Sequence, residues 1–202
     1  MSWIATIPPE KATGRLKEIY QRVTSPGERV DNILQVHSLR PHTLHGHMAL
    51  YKNVLHHSSN TLPKWFLETI GVYVSLLNEC AYCVEHHYAG LQRLLADNPD
   101  RAARIRRALE TNKFADTFEP AQMALLEYAR KLAIHPSQLT EEDIRALRNH
   151  AIPDGEILEV NQVTAYFCYA NRTVLGLGVT TVGDILGLSP GNSEDPEDWG
   201  HH

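Results

Sequence analysis

Residues 64–88 read KWFLETIGVYVSLLNECAYCVEHHY, and the fold turns on this stretch. From Lys64 to Leu77 apolar residues occur nearly all round a helical projection, which predicts a helix buried on every side. Glu68 is the only charged residue between Lys64 and Glu79. A carboxylate inside an apolar helix costs free energy unless it is paired or protonated, so Glu68 is a candidate functional group. The bland alternative is a helix position that faces solvent or a surface cation.

A second helix is predicted from Cys80 onward. On it, Cys83 lies three residues past Cys80 and His87 four past Cys83, so all three share one face. His86 points about 100° away at 3.6 residues per turn, which leaves His87 as the histidine that can reach the thiols and places His86 at the surface or behind the site. A cysteine at a helix N-terminus meets unpaired N–H groups and a partial positive charge, both of which favour the thiolate. A nearby imidazole can take the thiol proton, and a second thiol one turn away can close a disulfide on an oxidised sulfur. Half a zinc site and two unreactive thiols remain as alternatives. The chain has no second Cys-x-x-Cys and no His-x-x-x-His, so zinc would need ligands from elsewhere.

Outward from this centre the pattern stays helical. Residues 10–23 put Leu16, Ile19, Tyr20 and Val23 on one face, and Ser25-Pro26-Gly27 is a turn. Residues 31–39 form a short apolar-bearing stretch, Pro41 opens a helix, and Ser58 to Pro63 is a joint. Further helices are predicted up to Asn98-Pro99, over 100–112, over 120–133, after Thr140 with Asp143 placed to complete a cap, and from Asp154 or Gly155 into a long apolar run. From Ser189 the chain is polar, acidic and rich in Pro and Gly, which predicts an extended or disordered arm. The expectation is all-α: one domain over 1–188, with 1–30 as an N-terminal accessory segment and 189–202 as a flexible tail.

The histidines of HSLRPHTLHGHM, with His56 and His57, have no shared focus on a helix, so no metal site is expected there. His47 is the one expected to line the site. Cys168 reads as an ordinary buried residue. Asn171-Arg172-Thr173 fits a glycosylation sequon, which a cytoplasmic chain never presents to that machinery. Arg172, in an otherwise apolar helix, is expected to anchor a carboxylate in the core or at a subunit contact.

The 202 residues carry a net charge of -5 and show no basic footprint, which argues against nucleic acid as a partner. No apolar run approaches the roughly 18–20 residues that span a bilayer. MSWIATIPPEKATG lacks the charged and apolar regions of an export signal, so a reducing cytoplasm is expected, where Cys-x-x-Cys more often means redox chemistry or metal than a permanent staple.

Glu68, a step of twelve residues to Cys80-Ala-Tyr82-Cys83, then His87 four residues on, together resemble the alkylhydroperoxidase D family. The stretch from Ala124 to Val179 resembles the peroxidase-related branch of the same superfamily, which also holds the carboxymuconolactone decarboxylases. The resemblance implies an alkylhydroperoxidase D-like helical bundle and a thiol-dependent peroxidase. In that scheme Cys83 is the peroxidatic thiol, Cys80 its resolving partner, and His87 with Glu68 the proton relay. No cofactor or metal is implied. The implied partners are a hydroperoxide, an external lipoyl- or thioredoxin-like dithiol, and further copies of the chain in a homo-oligomer. Tyr82 stands where some members carry a second histidine; a phenol with a pKa of about 10 is no neutral-pH base, though it can donate a hydrogen bond beside the site. The alternatives are a decarboxylase-like lyase acting on a small acid, and a non-enzymatic redox or zinc-binding module.

Overall fold

The structure is a computed structural model that describes residues 2–27 and 29–202. Its helices are α1 (Gly14–Val23), α2 (Asn32–Gln35), α3 (Pro41–Leu55), α4 (Lys64–Leu77), α5 (Ala81–Leu94), α6 (Pro99–Thr111), α7 (Pro120–Ile134), α8 (Glu141–Asn149) and α9 (Asp154–Leu177). Short 3-10 turns cover Pro9–Lys11 and Pro136–Gln138. Among the described residues there is no strand, only isolated bridges, so the all-α expectation holds. None of the described helices is long and apolar enough to cross a membrane.

The helix read as apolar all round is the axis of the molecule. α4 packs against α5, α9, α7, α6 and α3, and Phe66, Leu67, Ile70, Val72, Tyr73 and Val74 are buried on it. It meets α9 tightly at Gly71, where a Cβ would stand 2.2 Å from the Phe167 ring. Only a residue without a side chain lets the outer edge of the ring come this close to α4. The faces predicted elsewhere pack as expected: Leu16, Ile19, Tyr20 and Val23 of α1 join the main core, and Asp143 accepts the Thr140 N–H at 2.7 Å to cap α8.

The turn between α4 and α5 fixes the position of the cysteines. Asn78 caps α4, Glu79 takes a left-handed conformation (φ 55), and the chain reverses. The Glu79 N–H donates to Leu76 O at 3.1 Å and the Cys80 N–H to Ser75 O at 2.9 Å, the paired bonds of a Schellman motif. Cys80 is therefore both the residue that closes α4 and the N-cap of α5.

The tail departs from the free arm its composition predicts. Residues 189–202 form no helix, but Trp199 and His201 are 1% and 4% exposed and lie against the bundle. The physical reason is long-range. Lys52 of α3 is fully buried, and its ammonium is satisfied by Gly191 O and Ser193 Oγ of the tail together with His56 O.

Candidate functional site

Helix spacing brings together the residues it should. Glu68 is 2% exposed, so the solvent-facing alternative does not apply. Its Oε2 lies 2.7 Å from His87 Nδ1 across the α4–α5 interface. With Nδ1–H donating to the carboxylate, Nε2 is the nitrogen left to accept a proton. The imidazole is held from a second side by the Phe167 ring, edge to face at 4.5 Å between centroids. The glycine contact that seats Phe167 on α4 thus also orients the histidine.

Cys80 and Cys83 are free thiols, both buried, with sulfurs 3.1 Å apart. The hydrogen bond between them splits their acidities. It holds the Cys80 thiol below the ordinary cysteine range against the opposing effect of burial, with help from the first-turn N–H of Cys83 and the Asn171 carboxamide. The same bond, reinforced by burial and by the Cys80 charge, pushes Cys83 up. Two sulfurs sharing one proton titrate as a pair, so the first deprotonation is easy and the second hard. Access separates them. Cys83 lines a cavity of about 40 Å³, room for a few water-sized groups, whereas Cys80 lies behind it.

The cavity is lined by Cys83, Glu68 and His87 together with residues of several other elements, among them Tyr51, Tyr166 and Leu188. His47 lines it as expected; burial drives its pKa down to about 3, so the imidazole is neutral. Tyr82 also lines it. Its hydroxyl donates to Asp184 Oδ2 at 2.7 Å and accepts from the Ile33 N–H at 3.2 Å. Burial raises the phenol well above its ordinary value, so it is a hydrogen-bonding group and not a base.

Three expectations need correction. His86 does point away from the Glu68–His87 pair, but it is not at the surface: it is buried, lines the same cavity, and its Nε2 is 3.2 Å from Asp184 Oδ2. Arg172 is exposed and so anchors nothing in the core; it donates to Cys168 O one turn back. Cys168 is only partly buried. The sequon asparagine, Asn171, is fully buried, donating to Ser75 Oγ and accepting from Asn78 Nδ2, so a glycan has no access to it.

Other groups at the site carried no local signal. Asp31 lines the cavity, and burial raises its carboxyl to about 6. Asn171 comes from a helix distant in sequence, and His201 from the tail; only the three-dimensional fold assembles them. Among the described residues, no group of three or more His, Cys, Asp or Glu is arranged to hold a metal ion.

No family model matches the chain, and neither does any curated protein. Solved structures do. The crystal structure of an alkylhydroperoxidase AhpD core, an uncharacterized peroxidase-related protein from Ralstonia eutropha, superposes with a TM-score of 0.76 at 24% identity, covering 89% of this chain and 92% of that one. An uncharacterized peroxidase-related protein from a Silicibacter species gives 0.70 at 23% identity, covering 88% and 87%. The debrominase Bmp8, in complex with 2,3,4-tribromopyrrole, gives 0.66 at 16% identity, covering 90% and 94%. At these identities the likeness is one of fold: the chain has the alkylhydroperoxidase D-like helical architecture.

Proposed function

We propose that this protein is a dithiol peroxidase-like oxidoreductase that reduces small hydroperoxides. The observation that carries the proposal is the convergence, on one small cavity, of a thiol with a second sulfur 3.1 Å behind it and a buried Glu68–His87 pair. The Cys83 thiolate attacks the terminal oxygen of the hydroperoxide, the O–O bond breaks, and the departing alkoxide takes a proton delivered through His87. The product is an alcohol and a sulfenic acid on Cys83. Cys80 then attacks that sulfur, water leaves, and a Cys80–Cys83 disulfide forms. An external dithiol returns both thiols and is itself oxidised to a disulfide. The fold neighbours described as peroxidase-related favour this reading, and a reducing cytoplasm suits free thiols. The reading also carries a homo-oligomer, for which α9 offers the exposed apolar side chains Leu158, Tyr169 and Leu175.

Thiol titration before and after one equivalent of hydrogen peroxide, with mass mapping, tests the cycle directly. Two thiols should disappear into a Cys80–Cys83 bridge that a dithiol reverses. Irreversible oxidation of Cys83 alone would contradict the resolving role of Cys80.

The proton relay makes a separate prediction. Glu68→Leu suits the apolar surroundings but strips His87 of its orienting partner, so the rate of Cys83 oxidation should fall about 100-fold, in the range of general acid–base effects. Glu68→Gln keeps an acceptor without the charge and should lie between. Stopped-flow rates within a factor of two of wild type for Glu68→Leu would remove the relay from the mechanism. Bmp8 raises a second reading, reduction of a carbon–halogen bond by the same dithiol; a cavity of about 40 Å³ disfavours so bulky an electrophile while the site is closed.

A further inference from the structure

We infer that residues 184–202 are a strap that completes the site and sets which electrophiles reach Cys83: small hydroperoxides pass when it is closed, and bulky ones, like the external dithiol, wait for it to open. The substrate class rests on the peroxidase reading; the closure does not.

The strap is fastened at two points. At the first, the Asp184 carboxylate accepts the Asn32 N–H at 3.1 Å and the Tyr82 hydroxyl at 2.7 Å, and lies 3.2 Å from His86 Nε2. Its side chain is 3% exposed. The Asn32 carboxamide reinforces this anchor by donating to Thr180 O and Val182 O. At the second, Lys52 Nζ donates to Gly191 O at 2.6 Å, Ser193 Oγ at 2.9 Å and His56 O at 3.1 Å. All three ammonium protons are then used. A lysine this deeply buried is costly without such partners, so the latch holds only with the strap in place.

Between the anchors the chain descends onto α5. Gly187 (φ 79) sits where a Cβ would be 2.7 Å from the Ala89 carbonyl carbon and 2.8 Å from the Gly90 nitrogen, so only glycine permits the approach. Gly187, Leu188, Ser189 and, from the returning end, His201 then form the roof of the cavity. The return is pinned by Trp199, buried beneath the Arg22 guanidinium at 3.8 Å, and by the His202 N–H on Ser189 O. The His201 Nδ1 is 2.9 Å from Trp199 O, an acceptor only. Burial lowers this histidine to about 4, so its neutral ring carries the proton on Nδ1.

The closure matters because both cysteines are 2% exposed or less. A dithiol cannot approach a disulfide so covered. The strap rests on few apolar side chains, chiefly Leu188 and Trp199, which is the profile of a segment that opens locally without global unfolding.

The experiment compares a small thiol reagent, methyl methanethiosulfonate, with a bulky one, 5,5′-dithiobis(2-nitrobenzoate), each followed at Cys83 by mass mapping. It uses the full chain and the variants Lys52→Met and Trp199→Ala. Loosening the strap should raise the bulky reagent's rate about tenfold or more, and the small reagent's less than about threefold, as expected for a local opening equilibrium. An unchanged ratio of the two rates in both variants overturns the strap; so does an equal acceleration of both reagents, which reports general loosening. Hydrogen peroxide and cumene hydroperoxide form the second arm, and the variants should favour the latter selectively. If the reagents are gated but neither peroxide consumes thiol, the peroxidase reading fails and the strap stands.

Discussion

Cys83→Ser is expected to abolish peroxide-dependent disulfide formation and to lower dithiol-coupled peroxide consumption by at least about 10³-fold, the scale of nucleophile removal in enzymes. A serine hydroxyl in the same position is not ionised by the weak donors around it, and the remaining sulfur cannot substitute. Cys80 lies behind Cys83 and outside the cavity lining. Cys80→Ser should behave differently: one equivalent of peroxide is consumed in a burst, Cys83 stops at the sulfenic acid, and recycling fails. The assignment sets access against acidity, because Cys80 is the thiol held low and Cys83 the one pushed up. Access decides, since a proton can cross 3.1 Å between two sulfurs far faster than a buried sulfur can reach a substrate. The reverse pattern, burst kinetics in Cys83→Ser and full loss in Cys80→Ser, would exchange the two roles. Undiminished turnover of a small acid in Cys83→Ser would instead favour the lyase alternative.

What could be read from the sequence is what helical periodicity carries. Cys80, Cys83 and His87 share a face because three- and four-residue steps do so on any helix. Glu68 drew attention because one charge stood in an apolar run. Its partner followed from the adjacency of α4 and α5. Groups delivered by long-range packing gave no such signal. Asp31, Asn171, Asp184 and His201 sit in a short helix flank, a distant helix and the C-terminal segment, and nothing local distinguishes them from ordinary polar residues. The tail misled for a definite reason. Its composition cannot build a core, but it needs none: a buried ammonium on α3 and one tryptophan hold it. Arg172 misled for the opposite reason. α9 carries Leu158, Tyr169 and Leu175 on a face exposed in the single chain, so an apolar helix read on its own suggested a core position for Arg172 that the protomer does not give it.

Lowering the pH from 7 to 5 is expected to remove several kcal/mol of folding stability, and the histidines of the site are the cause. Burial holds His47 down to about 3 and His201 to about 4, and drives His56 well below its ordinary value. In the unfolded chain each titrates near 6.5. Above that pH both states are neutral and the term is absent. Below it the unfolded chain binds protons that the native state refuses, so stability falls by about 1.4 kcal/mol per pH unit for each group until the native pKa is reached. By pH 5 His47 and His201 have each cost about 2 kcal/mol, and His56 adds to the loss in the same direction. Asp31 works the other way: its native carboxyl, raised to about 6, takes up a proton before the unfolded one does, and returns about 1.4 kcal/mol by pH 5. These terms leave a net loss of about 2–3 kcal/mol, to which His56 adds, a large fraction of the stability of many domains. The Trp199 carbonyl offsets only part of it at His201, and among the described residues neither ring nitrogen of His56 has a hydrogen-bond partner and His47 Nδ1 has none. Urea unfolding at the two pH values checks the sign and size; a difference under about 1 kcal/mol would contradict it. His56→Phe should keep the edge-to-face contact that this ring makes with Tyr51 at 4.6 Å and flatten the pH dependence by the share of one histidine. His47 and His201 line the cavity and in the folded chain stay neutral until about pH 3 and 4, so peroxide reactivity lost over this window should track the unfolded fraction.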